Sequence, residues 1–261
     1  MTSPERIARA DRTVPYVEVQ LRLAHRMAEL TGAPLGEMAL AHTNLHRRLG
    51  LGVWRDGPPA AGWAPYAQAL EAAPDLAARV ALTREAWLAA AEEVLPHPGQ
   101  TGFGCFAHEP ANDEGVVRIH FYNLDTDDAG GPLAGAKRAL RQAELRALTA
   151  NVLRTSPQAH TVRGGSWLYN LEAYRRLFPP DYAASRRPYD RAISIRGTAV
   201  WGQVIDSREA VRPDVRDAVV ANLPTLDPVA PWKAFPYRML AVEAPIGSFA
   251  RFYGVSGSRP G

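Results

Sequence analysis

The sequence predicts a mixed α/β protein: a central mixed sheet flanked by helices, with an N-terminal helical layer. Three observations lead there. Apolar residues in the first 50 positions recur at helical spacing. Runs that read as strands begin only after residue 100, and from there they alternate with helical segments. No internal repeat at solenoid periods is present. The expected organisation is one domain over residues 1–261, with 1–100 a mostly helical layer and 101–261 the sheet-containing core.

In the first helix Tyr16, Val19, Leu23, Met27 and Leu30 share a face, and Gly32 ends it. "APLGEMALAHTNLHRRLG" predicts a second helix, with Pro34 near its start and Gly50 near its end. "RDGPPAAGWAP", residues 55–65, holds two glycines and three prolines and predicts a loop. "TREAWLAAAEEVL", 83–95, predicts a helix capped by Thr83. "GFGCFAHE" and "VVRIHFYN" predict two strands of a hairpin. "PLAGAKRALRQAELRALTANVLR" predicts a long helix with Leu145, Leu148 and Val152 on one face. "AHTVRG" predicts a strand and "LEAYRRLF" a short helix stopped by Pro179-Pro180. "RAISIRGTAVWGQVID" predicts one or two strands. "SREAVRPDVRDAVVANL" predicts a helix interrupted at Pro213, "YRMLAVE" a last strand, and "APIGSFARFYG" a closing helix.

Composition excludes some functions. The only cysteine is Cys105, so no disulfide within the chain and no zinc–cysteine cluster is possible. The N-terminus is polar and no apolar run approaches a membrane span, so the expected location is cytoplasmic, with no membrane partner. The formal net charge is +3, but lysine occurs only at Lys137 and Lys233, and the arginines are scattered in pairs. That spread argues against a nucleic-acid partner.

Two stretches carry candidate chemistry. In "HTVRGGSWLYNLEAYRRLF" the glycines after Arg163 predict a turn into a helix capped by Asn170. A helix start offers free N–H groups, so Arg163 and the backbone from Gly164 to Ser166 are expected to bind an anion or a carbonyl oxygen, with Tyr169 in the pocket wall. No phosphate-loop or dinucleotide fingerprint is present, and Leu168 stands where a hydrolase elbow needs glycine.

In "RIHFYNLDTDDAGG" His120 shares its strand face with Arg118 and Tyr122, and the strand runs into an acidic loop. His120 is the expected general acid or base, Asp125 its orienting carboxylate and Asn123 a substrate-binding amide. A metalloenzyme using His120 and the aspartates at 125–128 is a competing reading. The calcium-loop pattern fails, with Asp128 in the glycine position and Ala134 in place of glutamate, so no metal is assigned.

Trp201 and Gln203 are expected to wall the same pocket. His42 and His46 lie four apart in "HTNLHRR", but no third ligand is implied, and packing is the expected role.

"NLEAYRRLF" resembles the Asn-x-x-Ala helix of the acetyl-CoA-dependent acyltransferases. The likeness spans nine residues, and the family's pyrophosphate-binding loop is not visible in "DDAGGPLAG". The reading is thus a small-molecule enzyme using acid–base chemistry on an anionic or carbonyl-containing substrate. The sequence leaves its reaction type, cofactor and oligomeric state unassigned. The alternatives are an acyl-group transferase and a non-catalytic ligand-binding or scaffold protein.

Overall fold

A computed structural model describes residues 3–52, 58–90, 97, 99–189, 192–196 and 199–256. The fold is mixed α/β, as the sequence predicts, with a six-stranded mixed sheet and an N-terminal run of helices. The chain forms two compact units. One comprises Met1–Glu93 and Arg191–Tyr237, the other Val94–Asp190 and Arg238–Gly261.

The first unit is helical. Helix α1 (Pro4–Thr31) begins at Ser3, whose side chain accepts the Arg6 N–H, with Pro4 in the first turn. It ends at Gly32 in the left-handed region (φ 71°). Tyr16, Val19, Leu23 and Met27 are buried on one face as predicted, whereas Leu30 is exposed. The single helix predicted next is two: α2 (Leu35–His42) and α3 (Leu45–Arg48). The break has a local cause. Thr43 Oγ1 turns back to the Ala39 carbonyl (2.5 Å) and accepts the Leu45 N–H (3.1 Å), so its hydroxyl competes with the helix ladder.

Helix α4 (Trp63–Ala72) starts inside the stretch predicted as loop; residues 53–57 of that stretch lie outside the described residues. Helix α5 (Leu76–Ala89) is capped by Asp75, which accepts the Ala78 N–H at 2.8 Å. Thr83, predicted as the cap, is buried in mid-helix and donates to the Arg79 carbonyl. Residues 91–96, the end of that predicted helix, lie outside the described residues. Leu21, Leu35, Leu45, Trp63 and Leu70 are among the residues of this unit's core. Helix α9 (Pro213–Asn222) completes it, with Pro213 at its first turn rather than interrupting it.

The second unit carries the sheet, in the order β1-β2-β3-β4-β6-β5. The predicted first strand folds into two, β1 (Thr101–Phe103) and β2 (Phe106–His108), joined at Gly104. Strand β3 (Val116–Phe121) pairs antiparallel with β2 as predicted. Helix α6 (Arg138–Thr155) crosses over to β4 (Thr161–Ser166), which runs parallel to β3. After α7 (Glu172–Arg175), α8 (Pro180–Ala184) and β5 (Arg187–Pro188), β6 (Leu240–Pro245) inserts antiparallel between β4 and β5. Helix α10 (Ile246–Tyr253) closes the unit. One sheet face, including Val117, Ile119, Val162, Val242 and Ala244, packs against apolar and aromatic side chains that include Leu145, Leu148, Tyr169, Phe178 and Phe249. Alternation along the strands leaves Arg118, His120, Arg163 and Glu243 on the opposite face.

Candidate functional site

On the polar sheet face of the second unit, His120 stands opposite Ala107 in the β2–β3 register. Two residues on from Ala107, just past the end of β2, comes Glu109, whose N–H donates to the Arg118 carbonyl (3.0 Å). Glu109 is therefore the diagonal neighbour of His120. Its carboxylate meets His120 Nε2 at 2.7 Å, with the two side chains 28% and 41% exposed. The pair is accessible from water. Arg163 lies beside Arg118 on β4, and Glu243 lies opposite Arg163 on β6. Glu243 accepts from Arg163 Nε (3.1 Å) and Arg187 (3.2 Å), and the hydrogen bond from Arg187 is the chief cause that holds its carboxyl below its ordinary pKa.

The parallel pair β3–β4 is closed at one end only. Gly115 O accepts the N–H groups of His160 (3.0 Å) and Thr161 (3.3 Å), which pins the start of the two strands. The register then runs from Val116–Thr161 to Arg118–Arg163 and ends. Both strands continue for three more residues, to Phe121 and Ser166. Past Arg118 the strands are neighbours without a ladder. Residues 119–121 pair with β2 and 164–166 with β6, so only the backbone groups those two ladders leave unused border the gap, and a continued register sets His120 beside Gly165.

The two glycines belong to this strand. They were expected to form a turn; both instead pair with β6, Gly164 with Val242 and Gly165 with Ala241. What they supply is room. A Cβ on Gly164 runs into the hydroxyls of Tyr169 and Tyr182, and one on Gly165 into that of Tyr189. The turn comes later, at Ser166, whose Oγ accepts the Leu168 N–H (3.1 Å). The 3₁₀ turn that follows spans only Trp167–Asn170. Asn170 does not cap α7; its amide donates to the carbonyls of Trp167 and Arg238.

The other predicted residues have these places. Asp125 is bound by Lys137 Nζ and Arg141, each at 2.8 Å. The hydrogen bond from Lys137 is the main reason its carboxyl lies below the usual range. The carboxylate seen at the His120 ring is that of Glu109. Asn123 is exposed, and its Oδ1 accepts from Thr126. Tyr169 is buried, with its hydroxyl 3.0 Å from that of Tyr182, and burial pushes its pKa well above the ordinary value.

Trp201 and Gln203 belong to the first unit. The strand predicted around them is a 3₁₀ turn, Ala199–Gln203, and residues 197–198 lie outside the described residues. Both side chains are fully buried with backbone partners. Trp201 Nε1 donates to His42 O, and the Gln203 amide bonds both the N–H and the carbonyl of Tyr237.

Sequence reasoning passed over a second polar constellation, in the first unit around "HTNLHRR". Asn44 Nδ2 donates to the buried Tyr16 hydroxyl (2.9 Å), and Gln20 Oε1 accepts the Asn44 N–H (3.0 Å). The Arg48 guanidinium lies 4.7 Å from the centre of the Tyr16 ring and 3.2 Å from Glu209. Glu209, which also pairs with Arg9 at 2.5 Å, is the one non-glycine residue among those described with positive φ (62°). Burial works against its charge, but the two arginines outweigh it and hold the carboxyl low. His46 is fully buried, and neither ring nitrogen has a hydrogen-bond partner. The sequence signal was the density of polar residues in one segment, read there only as a histidine pair.

Among the described residues no group of three or more potential ligands gathers in a metal-binding arrangement, and no helix is long and apolar enough to cross a membrane. Comparison with family models, curated proteins and solved structures finds no match for this chain.

Proposed function

We propose that the second unit is a small-molecule enzyme working at the gap between β3 and β4, with His120 as its acid–base group. One observation carries the reading: the parallel ladder ends at Arg118 and Arg163 while both strands run on, and His120, held by Glu109 at 2.7 Å, stands on that rim. Ligand sites in α/β sheets favour the carboxyl ends of parallel strands. Glu109 orients the imidazole and stabilises its protonated form. Arg118 and Arg163 favour an anionic or carbonyl oxygen on the same face.

Acyl transfer is the reaction the strand geometry favours. A carrier arm bearing amides completes an interrupted ladder with its own N–H and C=O groups. The Asn170–Ala173 segment that resembles the acyltransferase helix comes after β4 and the Trp167–Asn170 turn and leads into α7. In this chemistry His120 accepts the proton of an amine as its nitrogen attacks the thioester carbonyl. The new C–N bond forms, the C–S bond breaks, and the thiolate leaves. The expected setting is the cytoplasm, where such carriers are held.

Calorimetric titration with coenzyme A and acetyl-CoA, followed by turnover assays over an amine panel, tests this. The expected result is binding by wild type and His120→Gln, with turnover lost in the variant. Binding without turnover in wild type makes the protein a ligand-binding module. Absence of binding overturns the acyl-transfer reading.

A further inference from the structure

We infer that the first unit carries a groove for a small organic anion, a carboxylate or phosphate ester with an apolar body, and that Arg79 holds its charged head. The groove lies in a different unit from the β3–β4 gap and stands independently of it.

Three parts of this unit build the walls. Arg22, His25, Arg26 and Glu29, spaced three and four apart, share one face of α1. Asp75, Leu76 and Arg79 come from the start of α5. Val220, Leu223 and Pro224 come from the end of α9 and the 3₁₀ turn after it, Leu223–Thr225. Arg26 fastens α1 to that turn by donating to Leu223 O and Pro224 O, at 3.2 Å each. Between the walls lies an open groove of about 720 Å³. Small-molecule sites occupy about 300–1,000 Å³, so there is room for an organic ligand.

The charges decide which ligand fits. Arg22 is held by Glu18 at 2.6 Å and Arg26 by Glu29 at 2.9 Å. Glu29 also meets His25 at 3.3 Å, and Asp75 accepts the Ala78 N–H (2.8 Å) as the cap of α5. Arg79 differs from these. It is half-buried, and its Nε donates to Leu70 O (3.3 Å). Among the described residues nothing accepts from its two terminal nitrogens, and no carboxylate pairs with it. A guanidinium stays charged at neutral pH. With Nε tied to the backbone, the terminal nitrogens form a held fork that suits the two oxygens of one carboxylate or phosphate. The apolar side of the groove sets the rest of the ligand. Leu76 and Val220 are half-buried and Leu223 is 9% exposed, so a hydrocarbon body covers surface that an inorganic ion leaves wet.

The test titrates the full chain with benzoate and phenyl phosphate at constant ionic strength. Calorimetry reads affinity, and NMR follows the Arg79 Nε–H and the methyl groups of Leu76 and Val220. Inorganic phosphate and benzyl alcohol carry the head and the body alone. The expected result is saturable binding of benzoate, phenyl phosphate or both, with shifts at all three residues, and about tenfold weaker binding of head or body alone. The stronger of the two probes tells a carboxylate site from a phosphate site. Arg79→Gln is expected to weaken binding about tenfold or more, and Arg22→Gln, whose charge Glu18 holds, by less than about threefold. Val220→Glu places a negative charge in the groove, leaves the Arg79–Leu70 hydrogen bond intact and is also expected to weaken binding; it decides the case if Arg79→Gln does not fold. Absence of saturable binding of both probes in wild type overturns the inference, as does affinity that Arg79→Gln retains. Inorganic phosphate binding as tightly as phenyl phosphate overturns the apolar half of the site. Shifts confined to the second unit overturn the whole of it.

Discussion

His120 and His46 show what two surroundings do with the same side chain. His120 lies on a strand, half open to water, and has a carboxylate at 2.7 Å. His46 lies on a short helix, sealed from water, with no hydrogen-bond partner and two cations acting on it. The first environment is the one the proposed acid–base role of His120 requires. The second keeps the ring neutral at pH 7. Buried charge elsewhere in the second unit is neutralised: Arg141, 1% exposed, meets Asp125 and Glu144 at 2.8 Å each.

That contrast breaks most visibly at Arg141. Arg141→Met is expected to cost about 3–5 kcal/mol in denaturant unfolding, because two carboxylates lose the same buried partner. His46→Leu, by contrast, removes a group that has no partner and is expected to leave neutral-pH stability unchanged or raised. A large loss in His46→Leu contradicts the description of His46.

The pH dependence sharpens the same point. The folded pKa of His46 is about 4 and the ordinary value 6.5, so between these the unfolded chain binds the proton more readily. Stability attributable to His46 is present above pH 6.5 and is lost as pH falls towards 4, by about 3 kcal/mol in all. The difference between wild type and His46→Leu across this window reads it directly. A flat difference contradicts the buried neutral ring.

Smaller effects are expected at the glycines. Gly164→Ala meets two tyrosine hydroxyls held in the core and is expected to cost about 1–3 kcal/mol. Gly165 is exposed and faces only Tyr189, which is half-buried, so Gly165→Ala is expected to cost under about 1 kcal/mol. The smallest stability effect is at Glu109→Gln, again under about 1 kcal/mol, because the His120 pair is water-exposed. His120→Gln is expected to lower turnover about a hundredfold or more with similar stability.

Much of the sheet unit was legible because its signals are local. Val117, Ile119 and Phe121 alternate, Leu145, Leu148 and Val152 keep helical spacing, and the structure buries the first two of the strand set and all of the helix set. The failures have non-local causes. Gly164-Gly165 looks like a turn, because the tyrosines that require the missing Cβ atoms lie at 169, 182 and 189. Asp125 looked available to His120, but Lys137 and Arg141, 12 and 16 residues on, hold it. Glu109 faces His120 only through the β2–β3 register, which no spacing along the chain reveals. In the helical unit Thr43 split a predicted helix by bonding backward, and Trp201 was drawn into a core that pattern alone assigned to a strand.

The most direct test of the gap between β3 and β4 is backbone hydrogen exchange across residues 119–121 and 164–166, with and without acetyl-CoA. The account predicts fast exchange of the amides facing the gap in the free protein, against slow exchange at 116–118. It predicts marked slowing of those same gap-facing amides when the carrier is bound. Slow exchange of the gap-facing amides in the free protein, or an acetyl-CoA effect confined to other segments, contradicts it.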